Sequence, residues 1–109
     1  MKKIILFCLI TLPLLSKAAC NDKLCTSKIE RLYITSAFGG SVLIKPADQA
    51  SGILNCKLME NVYITLKKDH PVFEEIYSTL LSAKVADMLV KLRIDEASEG
   101  CNLRYVMLD

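Results

Sequence analysis

The chain contains no tryptophan, a single histidine and only 6% aromatic residues. Lacking tryptophan, it lacks the side chain with the largest stacking face for a sugar ring or base. With His70 alone, it has one candidate for a base that works near neutral pH. Gly39 and Gly40 stand by themselves, which excludes a glycine-rich phosphate loop. No proline- or serine-rich linker and no repeat divides the chain. Crossing a bilayer as a helix takes about 20 apolar residues. The apolar run Ile4 to Leu15 has 12, interrupted by Pro13, and no other stretch replaces it, so no membrane span is expected.

That run has a different meaning in its context. Lys2 and Lys3 precede it and Ser16, Lys17 and Ala18 follow it, the tripartite layout of a cleaved export signal. Residues 1–18 are therefore read as a signal peptide and 19–109 as one small domain, placed in the periplasm or secreted. The alternative is a lipid-anchored Cys20, which follows two alanines. Lys17 stands where lipoprotein signals carry an apolar residue, and acylation would leave an odd number of cysteines. Removing Lys2, Lys3 and Lys17 leaves 11 basic against 12 acidic residues, so the net charge of +2 belongs to the signal. A near-neutral exported domain carries no electrostatic footprint for nucleic acid.

The 91 residues that remain make one core, burying only about 60 to 65% of the unfolded surface, so cross-links matter. Cys8 falls in the signal, leaving Cys20, Cys25, Cys56 and Cys101, an even set that reads as two disulfides in an oxidising compartment. Zinc is disfavoured, because the spacings lack paired C-x-x-C knuckles. No cofactor is expected.

Periodicity orders the domain. Ile29 to Ser36 is rich in β-branched and aromatic residues and is followed, past Phe38-Gly39-Gly40, by Ser41 to Lys45, a hairpin closed by Pro46. From Asn61 to Lys67, Val62, Ile64 and Leu66 alternate with Tyr63 and Thr65, predicting a half-buried strand. After Pro71 the period changes, and Phe73, Ile76, Tyr77, Leu80 and Ala83 form the stripe of an amphipathic helix of about 15 residues. Val90, Leu92 and Ile94 then alternate with Lys91 and Arg93, and a last strand spans Asn102 to Leu108. The order is β-β-β-α-β-β, which predicts a mainly β, OB-fold-like five-stranded barrel plugged by one helix. In such a barrel the third and fifth strands run parallel side by side, and Cys56 and Cys101 open them. That geometry favours the pairs Cys56–Cys101 and Cys20–Cys25 among the three possible connectivities.

The cysteine at 56, the Pro71-Val72-Phe73, Tyr77-Ser78 and Leu80-Leu81-Ser82-Ala83 run and the Val90-Lys91-Leu92-Arg93 strand resemble a group of small uncharacterised exported proteins of proteobacteria. More distantly, the element order is similar to the B subunits of subtilase-cytotoxin and pertussis-like A-B toxins. That likeness implies a pentameric, glycan-binding OB-fold protein, although no sugar-binding residue matches.

The catalytic inventory is short. His70 precedes Pro71 at a helix start, Glu74 and Glu75 point about 100° apart and suit a helix N-terminus, and Asp95, Glu96 and Glu99 lack the oxygen pattern of a calcium loop. The expectation is a non-enzyme: an exported binding or assembly module with a homo-oligomeric, glycan or protein partner. The alternative is a small structural or inhibitor protein, or an enzyme whose site the sequence does not locate. Two exposed features are candidate surfaces: a cationic stripe of Lys91, Arg93 and Arg104, and an aromatic and polar face of Tyr63 and Thr65.

Overall fold

The computed structural model describes residues 18–108; the expected signal peptide lies outside them but for Ala18. Two short strands, β1 (Ala19–Cys20) and β2 (Leu24–Ser27), open the domain, followed by β3 (Ile29–Ile34), a 3₁₀ turn at Phe38–Gly40 and β4 (Val42–Pro46). Then come β5 (Lys57–Leu58), β6 (Ile64–Leu66), the helix α1 (Phe73–Ala86), β7 (Val90–Ile94), β8 (Glu99–Gly100) and β9 (Leu103–Met107). Among the described residues no helix is long and apolar enough to cross a membrane.

Pairing divides these strands into three sheets, ordered β1-β2-β7-β9, β3-β4-β6 and β5-β8. Among the described residues no sheet closes on itself. This corrects the expected OB-fold-like five-stranded barrel and removes the fold likeness to toxin B subunits. Two local causes are visible. The chain from Leu24 to Ile34 breaks at Lys28, so β2 pairs with β7 while β3 pairs with β4. Buried Ser27 fixes the break: its hydroxyl donates to the Lys28 carbonyl at 2.7 Å and accepts the Asp48 N–H at 3.0 Å. The second cause lies between β6 and β9, which meet through a single parallel bridge, Thr65 with Asn102.

One core nevertheless serves all three sheets. Val90, Leu92 and Ile94 of β7 turn inward with Cys25 of β2 and Leu103 of β9, and meet Val42, Ile44, Ile64 and Leu66 of the three-stranded sheet. The helix adds Ile76, Leu80 and Ala83 to the same cluster. Burying a leucine or isoleucine of this size contributes about 1.5–3 kcal/mol. Glu74 and Glu75 occupy the first helical turn and Lys84 the last, each favourable to the helix dipole. Asp87 ends the helix in a left-handed conformation, Met88 donates its N–H to the Ala83 carbonyl, and the Asp87 carboxylate accepts from Lys28 Nζ at 2.9 Å.

Two disulfides close the design. Cys20 and Cys25 are directly opposite in the β1–β2 hairpin and are bonded, and Cys56 is bonded to Cys101 with their Cα atoms 5.0 Å apart. The second joins the parallel β5–β8 pair, where Lys57 lies opposite Glu99 and Leu58 opposite Gly100. In the chain-entropy account, closing 45 residues stabilises by about 4 kcal/mol and closing five by about 2. Replacing Cys56 and Cys101 together with alanine should therefore lower unfolding free energy in urea by about 4 kcal/mol, against about 2 for the Cys20 and Cys25 pair. Equal losses would show that the long loop is not what the bond constrains.

Candidate functional site

Strict alternation on β7 sends Lys91 and Arg93 outward from the four-stranded sheet, because Val90, Leu92 and Ile94 are all buried. Register then builds two cross-strand rows on that face. Arg93 lies opposite Leu24 of β2 and Tyr105 of β9, and Lys91 opposite Thr26 and Met107. Side chains so placed stand about 5 Å apart at Cβ and act as neighbours. Tyr105 and Met107 keep 37% and 42% of their surface exposed, so the rows present an aromatic ring and a thioether beside two cations. Arg93 Nε donates to the Ile94 carbonyl at 3.3 Å, which holds the guanidinium low over the sheet. An open depression of about 310 Å³ adjoins the second row, lined by Thr26, Lys28, Met88, Leu89, Lys91 and Met107.

Arg104 does not join the stripe. The register shift opposite Arg93 and Ile94 leaves it as the extra residue of a bulge on β9, and its Nε donates to Asp95 Oδ1 at 3.0 Å. Both partners are largely exposed, so the pair orients a turn rather than a ligand. Leu24, Thr26, Tyr105 and Met107 complete the face without having been singled out in the sequence. The same bulge that displaces Arg104 interrupts the alternation that would mark Tyr105 and Met107 as outward.

The second candidate surface is corrected. Tyr63 and Thr65 were expected on an exposed face, but they are only 6% and 3% exposed. All three residues of β6 are buried, because the outer side of its sheet carries its own cover. Arg31 Nη1 donates to the Tyr63 hydroxyl at 2.9 Å, and the Tyr33 ring sits 5.6 Å from the Tyr63 ring at a 55° tilt. Lys45 Nζ donates to Glu30 Oε2 at 2.9 Å, and this bond holds the Glu30 carboxyl below its ordinary range. Gly100 closes the cover over Thr65: a Cβ on it would lie 3.3 Å from Thr65 Oγ1, and its φ of +97° belongs to the region glycine favours. Buried Thr65 Oγ1 finds no hydrogen-bond partner among the described residues.

His70 is engaged at both ring nitrogens. Nδ1 accepts the Val72 N–H at 3.1 Å, so the proton resides on Nε2, which donates to the Arg104 carbonyl at 2.9 Å. The ring clips the start of α1 to β9. Asp95 and Glu96 likewise belong to a stitched turn, with Ser98 Oγ donating to the Asp95 carbonyl at 2.6 Å and Asn55 Nδ2 to Glu96 Oε2 at 3.4 Å. Cys20, Cys25, Cys56 and Cys101 are all held in disulfides, so none offers a thiolate.

Comparison with protein-family models, curated proteins and solved structures finds no match to this chain.

Removing a buried hydroxyl without a partner relieves a desolvation cost of about 1–3 kcal/mol. Thr65→Val should raise the unfolding free energy by about 1 kcal/mol, read from urea titration. A loss of similar size would mean that the hydroxyl is satisfied in solution.

Proposed function

We propose that the chain is an exported, non-enzymatic binding module that holds an acidic glycan on the outer face of its four-stranded sheet. The observation that carries this reading is the row Leu24, Arg93 and Tyr105, with Lys91 beside it. A guanidinium donates two parallel hydrogen bonds to a carboxylate, and an exposed phenol ring offers an apolar face to the C–H side of a pyranose. Lys91 supplies further positive potential beside that pair. A shallow, open face suits a chain end or a branch of a larger saccharide rather than an enclosed small molecule.

Export is supported by the basic and apolar character of residues 1–18 and by the two disulfides, which persist in oxidising compartments. A non-enzymatic role is supported by the commitments of the reactive groups: His70 is bonded through both nitrogens, and the four cysteines of the domain are paired. Among the described residues, His70 and these cysteines are thus engaged in structural bonds rather than held free to activate a nucleophile.

An array of sialylated, uronic-acid-containing and neutral glycans tests the proposal. The domain should retain the acidic members in preference to the neutral ones and lose them as salt rises. Arg93→Ala should weaken retention by about 10- to 100-fold while leaving the unfolding midpoint nearly unchanged, since a charge-assisted hydrogen bond is worth about 1.5–3 kcal/mol. Equal retention of neutral and acidic glycans, or none at all, would sink the reading.

A further inference from the structure

A second surface lies away from the cationic face. Among the described residues β3 pairs only with β4, so its other edge carries main-chain groups that no strand of this chain satisfies. That edge is not blunted along its whole length. Tyr33 and Ile34 at its end are 39% and 59% exposed.

The helix lies along the same edge. Ile34 shares a notch of about 190 Å³ with Phe73 and Tyr77 near the start of α1. Lys84 near the helix end is close enough to act on the Glu30 carboxyl at the start of β3. The helix therefore runs antiparallel to β3. At 100° per residue, Tyr77 and Lys84 lie on the flank toward β3, and Leu81 and Val85 follow on the same side. Leu81 is 44% and Val85 79% exposed, in the seam Glu74, Ser78, Leu81, Val85, whose spacing of four, three and four is that of helix pairing. Burying Ile76, Leu80 and Ala83 in the core leaves this seam outward.

We infer that two copies of the chain join β3 edge to β3 edge about a two-fold axis at Leu32, making a six-stranded sheet with the two helices antiparallel on one side. A two-fold axis at Leu32 sets Arg31 opposite the partner's Tyr33, a cation beside an exposed ring. Because Leu81 lies midway between Tyr77 and Lys84, the same axis brings Leu81 against its own copy and Val85 against the partner's Tyr77. Ser78 is small enough for close approach. One operation thus covers the open edge and the exposed Tyr33, Ile34, Leu81 and Val85 together.

Analytical ultracentrifugation of the disulfide-bonded chain at micromolar concentration should give twice the monomer mass. Ile34→Lys combined with Val85→Glu, both at exposed positions, should give a monomer with an unchanged far-ultraviolet spectrum. Leu81→Glu, which would set two carboxylates against each other at the axis, should raise the dimer dissociation constant at least tenfold. A monomer in the unaltered chain, a ring of higher order, or a dimer indifferent to these substitutions would overturn the inference.

Discussion

Cys56 and Cys101, 45 residues apart in the chain, are joined where β5 and β8 run parallel, and the three sheets depend on that junction. Ahead of the bond, the loop through Asn55 is pinned on two sides: its N–H donates to the Asp22 carbonyl beside the first hairpin, and its carbonyl accepts the Ala97 N–H. Beyond it, the Cys101 carbonyl accepts the Thr65 N–H at 3.1 Å, which sets β6 against the start of β9. Among the described residues the four-stranded and three-stranded sheets share no continuous ladder; they are joined by this stitched corner, the Thr65–Asn102 bridge, the bond from the Asp48 N–H to Ser27 and the common core. Small domains bury a modest share of their surface, so a cross-link at the seam between independently paired sheets has a large relative effect.

That arrangement sorts the surface into two regions. The four-stranded sheet turns Arg93, Lys91, Tyr105 and Met107 to solvent on a framework fixed by Leu92 and Cys25 beneath it. The three-stranded sheet has its outer side covered where Arg31, Tyr33 and Gly100 pack on Tyr63 and Thr65, and among the described residues no strand pairs with the outer edge of its β3. A ligand face and an association edge on different sheets do not compete for the same residues.

Strongly periodic segments are readable from the sequence alone. Val90, Leu92 and Ile94 alternate without interruption, and Phe73, Ile76, Tyr77, Leu80 and Ala83 repeat as a helix does, so β7 and α1 lie where the pattern puts them. Closure of the sheet is not readable, because it turns on Ser27 and its bond to Asp48, 21 residues away, which breaks one extended segment into strands of two sheets. The two-residue strands β1, β5 and β8 are too short to show any period. Burial of Tyr63 and Thr65 also escapes an alternation rule, since alternation assigns sides of a strand but not what covers each side. The cysteine partners expected from a barrel occur in the structure without the barrel, because the local parallel pairing of β5 with β8 suffices to bring Cys56 and Cys101 together.

The account stands on that junction, and direct mapping of the cystines tests it. Proteolysis of the oxidised protein without reduction, followed by mass spectrometry, should yield a peptide containing Cys56 linked to one containing Cys101, and Cys20 linked to Cys25. A linkage of Cys56 to either Cys20 or Cys25, or a free thiol at Cys101, would contradict the parallel pairing and with it the placement of the sheets.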